Sequence, residues 1–301
     1  MFLRAEPPAG RRRGAAPLWL LLLLAALAFV WVVTRLEGRA AAAGFGTIDP
    51  TRVSLDLPAG TEGLPPSWRE VIAARLARHG PRSAGDEDLL EEVRAELAAL
   101  PFVREVGEAR VLWPDGLEVA VRVREPVACV CAGEDYLPVS RDAVVLPGRY
   151  PGPPDLGRGL LPVLGPVDGS LRQVRPGDTL LLEHHLDALS VAVSLREHLS
   201  LERLAVLGPV VIDAEQARRT AVDEPGTRLL LEEHRVVLYG RTPRQDAPGE
   251  LPEAVKWTHL ARALDLLVTV EGVDSGAAPD DWDLLDLRWD EPTLRPRLGY
   301  R

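Results

Sequence analysis

The chain has 301 residues, 46% hydrophobic and 27% charged, which gives enough apolar material for packed cores and room for about two ordinary domains. Its net charge of −10 is uneven: four Arg and one Glu in the first 17 residues place +3 there and leave −13 on the remainder. An acidic body lacks the basic footprint that phosphate backbones need, which excludes nucleic acid as its main partner.

Residues 18–33 read LWLLLLLAALAFVWVV without a charge. With its flanks the run covers residues 15–34, about 20 residues or roughly 30 Å of helix, the depth of a bilayer core. Trp19 and Trp31 stand near its ends, where indoles favour the interface. Arg4, Arg11, Arg12 and Arg13 precede it, and Arg35 and Arg39 follow with Glu37 between them. This asymmetry predicts a cytoplasmic basic tail (1–14), a single transmembrane helix (15–34) contacting the lipid bilayer, a linker (35–50) and a bulk outside the cytoplasmic membrane. A cleaved signal peptide ending in the alanines at 40–43 is the rival reading, opposed by the length of the apolar run and the charges before the alanines.

A first outer unit is expected at 51–126. Val53, Leu55 and Leu57 alternate, predicting a strand over 52–57. Ser67 to Glu70 reads as a capping box opening a helix with Trp68, Val71, Ile72 and Leu76 on one face, ended by Gly80 and Pro81. Asp86, Glu87 and Asp88 open a second helix whose stripe is Leu89, Leu90, Val93, Leu97 and Leu100. Ala109, Val111 and Trp113, then a turn at 114–116, then Leu117, Val119, Val121 and Val123 predict a hairpin. The order strand, helix, helix, strand, strand is an α+β arrangement of a small sheet with helices on one face.

A second unit at 127–301 reads as a mixed β-sheet domain with flanking helices. Strands are expected at 127–131, 136–146, 204–212, 228–232, 235–239 and 284–289, and helices at 179–199 and 252–268. Cys129 and Cys131 share a strand face at a spacing poorly suited to a disulfide and read as small buried hydrophobes.

The runs Leu97-Ala98-Ala99-Leu100-Pro101-Phe102-Val103-Arg104-Glu105-Val106, Trp113-Pro114-Asp115-Gly116-Leu117-Glu118-Val119 and Arg124-Glu125-Pro126-Val127-Ala128 resemble the POTRA domain of the FtsQ/DivIB cell-division family. Leu161-Pro162-Val163-Leu164-Gly165 and Asp286-Leu287-Arg288-Trp289 resemble elements of that family's C-terminal β domain. Ala143 stands where the family usually has Gly, which predicts a different turn there. The resemblance is strong at 97–128 and 284–290 and thin across 172–252.

No stretch fits the nucleophile elbow, the zinc-protease helix, a P-loop or a complete dinucleotide fingerprint, so neither catalytic residue nor cofactor is expected. His184, His185 and His198 read as solvated helix-face histidines, since about 20 Å separates His185 from His198 along one helix. Asp280, Asp281, Asp283, Asp286 and Asp290 lack calcium-loop spacing and read as a soluble face, so no metal is expected. The resemblance implies a non-enzymatic scaffold at the division septum that binds other single-pass division proteins and helps control septal peptidoglycan synthesis. The expected mechanism is strand addition to an edge at 284–289, with Leu285, Leu287, Arg288 and Trp289 as partner-binding residues. Pro292 and Pro296 interrupt the tail and shorten that contact. A secretion or outer-membrane assembly factor built on the same small module is the alternative, followed by a cell-envelope hydrolase with an unrecognised site.

Overall fold

A computed structural model of the chain describes residues 18–42, 46–57, 65–83, 86–112, 115–156, 159–166, 171, 173–218, 224–245, 250–270 and 282–296. It opens with helix α1 (Leu18–Ala42). The expected transmembrane helix at 15–34 is corrected: among the described residues no helix is long and apolar enough to cross a membrane. Charged residues follow the apolar run within the same helix, with Arg35, Glu37 and Arg39 in its later turns. Residues 1–17, which hold the basic tail and the start of the expected span, lie outside the described residues. The helix continues through 35–42, where a linker was expected.

The first unit begins before the expected boundary, because β1 (Thr47–Ile48) packs into it. There follow β2 (Val53–Asp56), α2 (Pro66–Leu76), β3 (Arg82–Ser83), α3 (Glu87–Ala98), β4 (Val103–Leu112) and β5 (Gly116–Val123). β1 pairs with β3, while the main sheet has the order β2-β5-β4, with β2 parallel and β4 antiparallel to β5. Leu117, Val119 and Val121 alternate onto the face covered by Trp68, Ile72 and Leu76 of α2 and by Leu89, Val93 and Leu97 of α3. Trp68 stacks on Phe102 at 4.5 Å. The expected capping box is absent: α2 begins at Pro66 with Pro65 as N-cap and no side-chain cap bond. Proline suits that first position because its missing N–H would have been unpaired there anyway.

The second unit contains β6 (Pro126–Ala132), β7 (Asp135–Ser140), β8 (Val163–Leu164), α4 (Glu183–His198), α5 (Leu201–Leu207), β9 (Val211–Asp213), β10 (Thr227–Leu230), β11 (Val236–Gly240), α6 (Glu253–Val270), β12 (Trp282–Asp286) and β13 (Thr293–Pro296). The strands form one mixed sheet in the order β13-β12-β11-β10-β9-β8-β6-β7. Helix α4 lies across β6, β8 and β9 and also meets α6. It therefore buries a wide face: Ala188, Leu189, Val191, Ala192 and Leu195 are buried, whereas Leu182, just before the helix, is exposed. The units meet where Trp68 Nε1 donates to Pro147 O at 3.1 Å and Arg124 pairs with Asp142.

Three sequence expectations are corrected in this unit. Residues 179–182 are extended, because Val145 N donates to Asp178 O and Leu180 N to Ala143 O. Residues 204–207 belong to α5, capped by Ser200 Oγ and ended by Gly208 at φ 70; a short apolar run does not distinguish helix from strand by period alone. The turn at Ala143 keeps the backbone that glycine favours, with φ 63, held by Ala143 N donating to Ser140 O at 3.0 Å and Val144 N to Ser140 Oγ at 3.2 Å. A Cβ in the left-handed region is strained, so Ala143→Gly should stabilise the chain by about 0.5–1 kcal/mol in urea unfolding. A loss of stability would show that the Ala143 methyl packing outweighs the strain.

Candidate functional site

The two ends of the eight-stranded sheet differ. At the β7 end the chain folds back over its own edge: Tyr136 and Tyr150 exchange backbone hydrogen bonds of 2.8 and 3.1 Å, Leu146 N donates to Pro138 O at 2.7 Å, and Ser140 N donates to Val144 O at 2.9 Å. At the other end β13 is outermost, and among the described residues no further strand pairs with it.

This corrects the expected edge. Residues 284–289 do not form the outer strand: β12 lies between β11, with which it is parallel (Val236↔Leu284, Val237↔Leu285, Leu238↔Asp286), and β13, which is antiparallel (Leu284↔Arg295, Leu285↔Leu294, Asp286↔Thr293). The strand also starts earlier than expected, at Trp282, and residues 287–289 have left it. Leu285 and Leu287 are buried among the main core, so they anchor the strand from beneath and offer little contact surface. Trp289 is half-buried.

Arg288 is mostly internal. Its Nε donates to Asp286 Oδ1 at 2.8 Å, its Nη2 to Asp286 Oδ2 at 2.6 Å and its Nη1 to Glu224 O at 2.9 Å, and its guanidinium lies 5.5 Å from the Trp289 ring. Residues two apart on an extended segment share a side, which lets this aspartate and arginine close a planar two-bond fork. Leu287 N donates to Leu238 O at 3.0 Å, continuing the attachment to β11 past the end of β12.

A second buried pair supports the same corner. Lys256 Nζ on α6 donates to Glu250 Oε2 at 2.8 Å and lies 4.6 Å from the Tyr239 ring, while the same carboxylate oxygen accepts Arg241 N at 2.9 Å. Gly240 sits between the two pairs at φ 83, and a Cβ there would lie 2.4 Å from Glu250 Oε2 and 2.9 Å from Arg288 Cγ. Only glycine meets both the conformation and the space. The sequence did not reveal this pair; its one signal was that the chain's single lysine, Lys256, falls beside Trp257 in an amphipathic helix, on the face that the structure buries.

Burial alone pushes the Asp286 carboxyl up, but the side-chain and backbone hydrogen bonds from Arg288, with its charge, outweigh this and hold it below the usual carboxylate range. A native pKa below the unfolded value gives stability that is present above about pH 4 and lost as pH falls through the native value. Asp286→Asn should cost about 2–4 kcal/mol at neutral pH, because it leaves a largely buried guanidinium underpaired, and should flatten the acid limb of the stability profile. An unchanged midpoint and an unchanged acid limb in urea titrations from pH 3 to 7 would contradict this role.

The other expected sites resolve as follows. His185 is fully buried with its ring 4.2 Å from that of His184, which corrects the solvated reading, and His198 Nδ1 bonds Ser194 O at 3.0 Å. Asp280 and Asp281 lie outside the described residues, while Asp283 is forked to Arg295 by bonds of 2.9 and 3.2 Å. Among the described residues no group of three or more His, Cys, Asp or Glu is placed to hold a metal ion. Cys129 is buried beside Leu161 and Val163, Cys131 is half-buried, and both are free. The buried carboxylates Asp187, Asp213, Glu250 and Asp286 each hold a cation, respectively Arg244, Arg228, Lys256 and Arg288. No family model matches the chain, and no curated protein matches it.

Proposed function

We propose that the chain is a scaffold of the bacterial division machinery that acts by binding rather than catalysis. Its partners are other division proteins, and the process it helps control is septal peptidoglycan synthesis. The reading starts from the resemblance of residues 97–128 and 284–290 to the FtsQ/DivIB family. Leaving aside the short β1–β3 pair, the first unit runs β2, α2, α3, β4, β5, and this order and the mixed sheet that follows it directly in the chain are consistent with that resemblance.

The observation that carries the binding mode is the asymmetry of the sheet. Its β7 end is closed by residues 144–150 of the same chain, whereas its β13 end is open among the described residues. An open edge offers a row of backbone donors and acceptors, and a partner strand that completes it gains affinity from the main chain and specificity from alternate side chains. Of the two outer strands of the first unit's sheet, β2 and β4, the longer is β4, and it is less suited. Its ladder with β5 is broken by two register shifts, and it carries Arg104, Glu105, Glu108 and Arg110, devices that discourage pairing.

A fluorescent fusion of the full chain, expressed in the organism that encodes it, should concentrate at midcell in dividing cells, and depletion of the chain should give long cells with unfinished septa. Even distribution throughout the cell cycle, with division at normal length after depletion, would overturn the division reading.

A further inference from the structure

We infer that β13 is an internal cap, and that the partner strand takes its place on β12 instead of adding outside it. This rests on strand addition as the binding mode.

The two outermost strands are held very differently. β12 is tied to the body without β13: it is laddered to β11, its Trp282 and Leu285 and the following Leu287 are buried, and Asp286 is forked to Arg288. β13 has only four residues, and the prolines at 292 and 296 bring no N–H to the ladder. Thr293 and Arg295 are exposed. Among the described side chains its tie to the body is the fork between Arg295 and Asp283, whose side chains are 58% and 31% exposed, and exposed ion pairs of this kind contribute little. The register with β12 also slips between Trp282 and Leu284.

At that slip the pairing is poorest. Trp282 stands opposite Pro296, and the buried Trp282 Nε1 has no hydrogen-bond partner among the described residues. β13 thus covers the edge of a well-anchored strand with a short ladder whose register slips, and a longer strand in continuous register would pair better there.

The register with β12 and the described Arg295 contact define the partner. An incoming antiparallel strand should carry an apolar residue opposite Leu285, where Leu294 stands, and a basic residue opposite Leu284, where Arg295 reaches Asp283. It should also carry a residue other than proline opposite Trp282.

A disulfide lock tests the cap. Leu284 and Arg295 face each other in register, and directly opposed antiparallel residues fall within disulfide reach. Leu284→Cys and Arg295→Cys, in full-length chain also carrying Cys131→Ser, join β13 to β12 on oxidation. The probe is a fluorescent peptide of residues 290–298 with Pro296→Val, followed by anisotropy, with circular dichroism confirming that each chain is folded.

Wild-type and reduced locked chain should bind the peptide, and oxidation should weaken binding at least tenfold. The unaltered 290–298 peptide should bind several-fold more weakly than the Pro296→Val form. Equal binding before and after oxidation would overturn the proposal, since the strand would then add without displacing β13. Absence of binding to the folded wild-type and reduced chains would overturn it as well. Peptide exchange proceeds in the purified chain, so a failure here leaves midcell recruitment standing, and a fusion that fails to reach midcell leaves the exchange result standing.

Discussion

A sheet of eight strands has two outer strands, and the backbone groups on their outer sides must meet water, the same chain or another molecule. In this chain the two ends meet that requirement in opposite ways. Residues 144–150 return to cover β7 with a run of backbone hydrogen bonds. At the far end a four-residue strand with proline at its last position lies on β12 and nothing described lies beyond it. The difference gives the sheet a direction, with a finished side near the first unit and, among the described residues, an open one at β13.

The buried charges make sense in that frame. Asp286 with Arg288 and Lys256 with Glu250 both sit where β11 and β12 run out, around the glycine at 240. Buried pairs of this kind add little net stability compared with a well-packed apolar core, and their best-attested use is to fix one arrangement among several. Here they fix the end of β12 against β11 and α6, so the strand beside the open edge is held from behind. The contrast with the exposed Arg295–Asp283 fork on its other side is one of burial, and burial decides how much such a fork contributes.

Much of the fold was legible in the sequence because the signals were local. Alternation at Leu117, Val119, Val121 and Val123, with a turn signal before it, marks the β4–β5 hairpin, and the acidic start and apolar stripe of α3 mark that helix. Errors came where long-range contacts decide. Residues 177–180 pair with 143–145, which delays the start of the helix to Glu183, and α5 carried cap signals at Ser200 and Gly208 that a short apolar run obscured. The apolar segment near the N-terminus was read as a span, whereas the described helix runs on through Arg35, Glu37 and Arg39, and among the described residues no helix is long and apolar enough to cross a membrane. The candidate site was half legible: Asp286 and Arg288 were singled out, but not as partners of each other. Prolines at 292 and 296 argued against the strand that the structure forms there, although an outermost strand is where proline is tolerated.

Native-state hydrogen exchange across β10 to β13 measures whether the sheet ends in a fixed strand under a removable one. Amides of β10, β11 and β12 that bond towards the body should open only near the free energy of global unfolding, and those of the β12–β13 ladder should open at least about 2 kcal/mol below it. A β13 that exchanges together with β11 and β12, at one common free energy, would show a fixed outer strand and contradict its assignment as a removable cap.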